Sequence, residues 1–207
     1  MALVKYNNNS ISNVTALASL PSGAMTHIKT ITASSDSTIS FVNGSSDVVL
    51  DSTYPIYLFK CINVHPSSSD EFAFNGSDDT SSHSYNITKT TTHYYAIHAE
   101  NGTQGNLSYN SSEDLAQSTG FQNLTSASQI GTDNDCVTNG ELYLFNPSST
   151  TFVKHFVCDT HFRQKSDATQ RNQNAGYFNT TSAINAIQFK MSNGEIQSGT
   201  IDLFGVV

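Results

Sequence analysis

Three short stretches of this chain carry residue types that could do chemistry. His155-x-x-Cys158-x-x-His161 offers two imidazoles and a thiol, the donors that zinc takes. In an extended strand side chains alternate, so His155 and His161 point one way and Cys158 the other, and the three cannot converge on one tetrahedral ion. Burial beside Phe156 would also raise the Cys158 thiol and leave it inert. Gly131-Thr132-Asp133-Asn134-Asp135 sets oxygen donors at alternating positions, as calcium loops do, but lacks the downstream bidentate glutamate. It reads as a turn held by its own Asp and Asn side chains, and no metal is expected. Tyr94-Tyr95 could stack on a sugar, yet the chain has no Trp, and tyrosine in a strand commonly serves sheet packing.

Acid–base hydrolysis of a glycan would need two carboxyl groups about 5 to 10 Å apart. Glu71, Glu100, Glu113, Glu141 and Glu195 stand isolated, and the close pairs Asp78-Asp79 and Asp133/Asp135 fall in loops, where they read as solvated acids. The expectation is a protein without catalytic residues or cofactor. A net charge of −8 lacks the clustered Lys and Arg that displace counterions from phosphates, so nucleic acid is not an expected partner. Cys61, Cys136 and Cys158 are odd in number and scattered, as free thiols made in a reducing compartment are. No secretory pattern opens the chain and no run approaches a membrane span of about 20 apolar residues, which predicts synthesis in the cytoplasm and no membrane partner.

Strands must position all of these groups. Charged residues are 13% of the chain and polarity is carried by Ser, Thr and Asn, a composition suited to β-sheet surfaces. Alternation predicts strands over 25–31 and 38–42, joined as a first hairpin. It predicts others over 54–64, 71–74 and 88–98, and a hairpin of 141–145 with 151–162 around Asn146-Pro147. A terminal hairpin joins the run through Ile187, Phe189 and Met191 to the run through Ile201 and Leu203, with Asn193-Gly194 at its turn. Residues 101–135 and 164–174 read as polar, irregular segments. Eight to ten strands without an amphipathic helix predict one all-β domain over 25–207, a two-sheet antiparallel β-sandwich of jelly-roll type. Residues 1–24 precede it as an extended arm.

Asp51-Ser52-Thr53-Tyr54 leading into Tyr57-Leu58-Phe59-Lys60 and Asn63-Val64-His65-Pro66 resembles the early strand of a broad group of bacteriophage virion proteins. Ile184-Asn185-Ala186-Ile187-Gln188-Phe189 with the closing Gly199-Thr200-Ile201-Asp202-Leu203-Phe204-Gly205-Val206 is similar to the end of the same group. The opening residues 2–12 and the hairpin 142–153 look most like members from marine phages that infect cyanobacteria. The resemblance implies a non-enzymatic structural protein located in the virion. Such a protein is a head decoration or cement protein that reinforces the capsid, or else a tail or fibre component, with other virion proteins as partners. A carbohydrate-binding module reading host glycans through 101–135 is the reading from another class.

Two sets of contact residues follow. The 54–64 strand is apolar on both faces, so Tyr57, Phe59 and Cys61 are assigned to a subunit interface, with Phe152 and Phe156 of the later strand, in a homotrimer. The choice of three rests on the resemblance. Leu3, Val4, Tyr6 and Ile11 are assigned to the arm as its contacts with another subunit.

Overall fold

A computed structural model describes residues 24–126 and 129–207, and these form an all-β sandwich. The strands are β1 (Met25–Thr32), β2 (Ile39–Val42), β3 (Ile56–Pro66), β4 (Phe72–Ser77), β5 (Lys89–Ala99), β6 (Gly105–Tyr109), β7 (Gln122–Asn123), β8 (Thr138–Phe145), β9 (Lys154–Gln164), β10 (Ala168–Phe178), β11 (Ala186–Met191) and β12 (Ile196–Val206). They lie in an eight-stranded sheet ordered β1-β12-β3-β8-β9-β10-β5-β6 and a four-stranded sheet ordered β2-β11-β4-β7, with antiparallel pairing throughout.

The connectivity has a simple origin. Set aside β5, β6, β9 and β10, and number the other eight strands first to eighth along the chain. First then pairs with eighth, second with seventh, third with sixth and fourth with fifth. That is one long antiparallel hairpin wrapped across two sheets, the jelly-roll pairing. The insertions β5-β6 and β9-β10 extend the larger sheet on the same side.

This wrapping corrects two expected hairpins. β1 lies in the large sheet and β2 in the small one; β11 and β12 are divided the same way. Asn193-Gly194 is therefore a corner between sheets, with Gly194 at φ 83°. The β8–β9 hairpin does form, closed by Ser149 N–H on the Asn146 carbonyl at 3.0 Å. The stretch 164–174, expected to be irregular, is largely β10, a strand between β9 and β5. Its inward residues Gln170, Asn172 and Asn174 are polar, so no alternation of apolar and polar residues reveals it.

The core between the sheets is phenylalanine-rich. Phe189 of β11 meets Phe41, Phe59, Phe72 and Phe74 with ring centroids 5.5–6.3 Å apart, and Phe74 continues the contact to Phe156 and Phe178. β3 carries a bulge where Asn63, at φ 51°, lies against Gly199, at φ 109°. A Cβ on Gly199 would come within 2.5 Å of the Asn63 carbonyl, so only glycine fits. The bulge turns Val64 inward while Ile62 stays exposed.

Candidate interaction surface

The residues assigned to a subunit interface occupy other places. Tyr57, Phe59, Cys61 and Phe156 are all 3% exposed or less and belong to the sandwich's own core. The assignment of the β3 face is therefore reversed. Lys60 shares a face with Leu58 and Ile62 and marks that face as outward; Tyr57, Phe59 and Cys61 contain no charge and turn in. Phe152 lies before β9 and is 72% exposed. Leu3, Val4, Tyr6 and Ile11 lie outside the described residues.

The chemical candidates resolve as structure. His155 and His161 are exposed while Cys158 is buried, as strand alternation requires. Burial pushes the Cys61 thiol up to about 12 and raises Cys158 likewise, so both are poor nucleophiles. All three cysteines are free thiols. Ligand atoms of Asp133, Asp135 and Cys136 do gather within 4.8 Å of one another. Arg163 already serves that cluster as its cation, with Nε 3.3 Å from Asp135 and Nη1 3.1 Å from the Cys136 sulfur, and it also pairs with Glu100 and Asp167. Asp79, read as a solvated acid, instead anchors its loop. Its carboxylate accepts the backbone N–H groups of Ser81, Ser82, His83 and Ser84 and is held well below the usual range by those bonds and the Ser84 hydroxyl.

One carboxylate pair escaped the sequence reading. Glu71 and Glu113, forty-odd positions apart, both accept from the Asn123 amide, at 2.7 and 2.8 Å. Burial and the Glu113 charge raise the Glu71 carboxyl. Their closeness suits acid–base hydrolysis, but the Asn123 amide fills the space where a glycosidic oxygen would sit. The pairing of β4 with β7 and the side-chain bonds from Gln122 and Asn123 to the turn at Glu113 bring the two together, and spacing along the chain carries no trace of it.

On the outer face of the eight-stranded sheet strand register builds two rows. One row of directly opposed residues is apolar: Ala175, Val157, Tyr143, Leu58 and Phe204, ending on His27, with Leu58 itself only 3% exposed among its neighbours. Val157 is 47% exposed, and the His27 and Phe204 rings meet edge-on at 5.2 Å. Two residues along each strand runs a polar row, Tyr109-Tyr94-Gln173-Asp159-Glu141-Lys60-Asp202-Thr30, which crosses all eight strands. Lys60 and Glu141 pair at 3.1 Å, Gln173 donates to Asp159 at 3.1 Å, and Arg171 pairs with Asp159. The Tyr143 hydroxyl and Lys60 lower the Glu141 carboxyl, and Arg171 lowers that of Asp159. These pairs are partly solvated, so they contribute little to the stability of the fold. Shallow depressions of about 400, 330 and 230 Å³ lie along the rows, the first beside Lys60 and His161, the second beside Val157 and Tyr177, the third beside His98 and Arg171.

Such a face can bury apolar area along one line and set register along the next. Among the described residues it brings together no nucleophile with a base. No protein-family model, curated protein or solved structure matches the chain.

Proposed function

We propose that the chain is a non-enzymatic virion structural protein, a head decoration or cement protein that binds assembled capsid subunits. The observation that carries the reading is the pair of continuous rows on the outer face of the eight-stranded sheet. A rigid sheet presenting an apolar line beside a charged line suits a flat protein partner, and binding the assembled state stabilises it by mass action. Jelly-roll pairing is one of the architectures capsid proteins use, which supports the reading by analogy of fold alone. The resemblance to phage virion proteins supports it independently, and a tail or fibre position is the same reading elsewhere in the particle. Self-association as a trimer loses Tyr57, Phe59 and Cys61 as its interface, since they lie in the core, and rests on the resemblance alone. Light scattering at micromolar concentration tests it, and a monomer would contradict it.

A second reading has its own observation. Tyr94 and Tyr109 face each other across β5 and β6, 42% and 57% exposed, beside the planar polar groups of Gln173 and Arg171. Aromatic faces flanked by such groups suit a sugar ring. Mass spectrometry of purified particles separates the two readings. Fixed stoichiometric copies are expected for the first; absence from particles together with signal on a glycan array would replace it with the second.

A further inference from the structure

We infer that residues 110–126 form a pH-sensitive strap, released from the inserted half of the large sheet when His93 takes up a proton. The strap first covers the edge of β5. Asn110 N–H donates to the His93 carbonyl at 2.9 Å, Thr91 N–H to the Leu115 carbonyl at 2.9 Å, and Lys89 and Ser118 exchange both backbone bonds. It then crosses beneath β5 and β10 to enter the small sheet at β7. Its contacts there are polar. Gln122 accepts from Thr91 at 2.5 Å and donates to the Glu113 carbonyl at 2.9 Å, while the Leu124 carbonyl accepts from Asn172 and Thr160.

His93 is the exception in this bonded layer. It is 0% exposed, and neither ring nitrogen reaches the distance and angle of a hydrogen bond; the Asn172 and Asn174 side chains come near enough to favour protonation without closing a bond, and the amide nitrogen of Asn174, its direct opposite on β10, has no partner either. A buried polar group left unbonded is destabilising, and a charged one more so. The groups facing it fix the sign. From β10 come the uncharged Asn172 and Asn174; from the strap come Glu113 and Asp114, whose charges favour protonation; along β5 lies the cation of Lys89; and Glu71 is joined to Glu113 through Asn123. Burial outweighs the acids, so His93 is shifted downward and the closed strap prefers the neutral ring. A histidine lowered in the folded state contributes its full stability above about pH 6.5 and loses it as pH falls below that value.

Amide hydrogen exchange on the full chain at about pH 7.5 and pH 5, corrected for intrinsic rates, tests this. In the wild type the opening of 110–126 is expected to rise by up to about thirtyfold, the limit for the roughly 1.5 pH units between 6.5 and 5, while β3, β11 and β12 hold. In His93→Gln, with His93→Asn as the second variant should the first not fold, the strap opens equally at both pH values. Equal wild-type protection at both values, a variant that responds as the wild type does, or loss of protection across the whole chain at pH 5 would each overturn the inference.

Discussion

The two halves of the large sheet are covered in opposite ways. β1, β12, β3 and β8 pack against the four-stranded sheet through phenylalanine and aliphatic side chains. β10 and β5 lie largely beyond that cover; apart from Phe178, which joins the main core, and a small cluster of Ile97, Ala99 and Ala168, their inward residues are the polar Gln170, Asn172, Asn174, Lys89, Thr91 and His93, roofed by the 110–126 strap. β9 is the seam, its one buried face carrying Phe156, Cys158 and Phe162 together with Lys154, Thr160 and Gln164. Apolar contact is non-directional and tolerates some adjustment, whereas a buried polar layer is stable only while each group is bonded. One half is thus held by volume and the other by geometry. An inserted pair of hairpins can be added to a jelly roll without a third sheet if a loop supplies enough carbonyls and amides.

That contrast is broken most severely in the phenylalanine half. Phe189→Ala removes a ring packed on four others and is expected to cost about 3–5 kcal/mol, read from denaturant midpoints at unchanged slope. A loss below about 1 kcal/mol would mean the core refills the space. In the polar half Gln122→Ala removes the bonds that Gln122 makes with the Thr91 hydroxyl and the Glu113 carbonyl, for an expected loss of about 1–3 kcal/mol, with exchange rising in the strap before the rest of the chain. Uniform exchange would show that the halves unfold as one.

Lys89 sharpens the comparison through pH. Its ammonium donates to the Ile87 and Gly120 carbonyls, without a carboxylate, and burial pulls its pKa down to about 8. Below pH 8 folded and unfolded chains are both protonated there. Between about 8 and 10.4 the unfolded chain holds more protons, so stability should rise with pH across that window. Lys89→Met should remove that rise in stability curves taken side by side; an unchanged curve would assign the slope to other groups. The smallest effect belongs to the outer face. Val157→Ser is expected to change stability by less than about 0.5 kcal/mol while weakening attachment to particles, and a large loss of stability would mean that the row serves the fold itself.

Much of the apolar half was legible in the sequence, because alternation in β3, β8 and β9 follows directly from one buried face. Which face of β3 is inward was also readable, from Lys60 alone, and counting only the apolar residues hid it. The polar half was not legible. β10 alternates polar with polar, and Glu71, Glu113 and Asn123 meet only through the pairing of β4 with β7 and side-chain bonds to the turn at Glu113. Corners between sheets and hairpin turns use the same Asn-Gly chemistry, so Asn193-Gly194 could not distinguish them.

The most direct test of the account is an electron cryomicroscopy reconstruction of the particle that carries this chain. It should show the sandwich with the outer face of its eight-stranded sheet against a capsid subunit, Val157 and Phe204 at the contact and the Lys60–Glu141 row beside it. Density that leaves that face in solvent, or holds the chain by another surface, would contradict it.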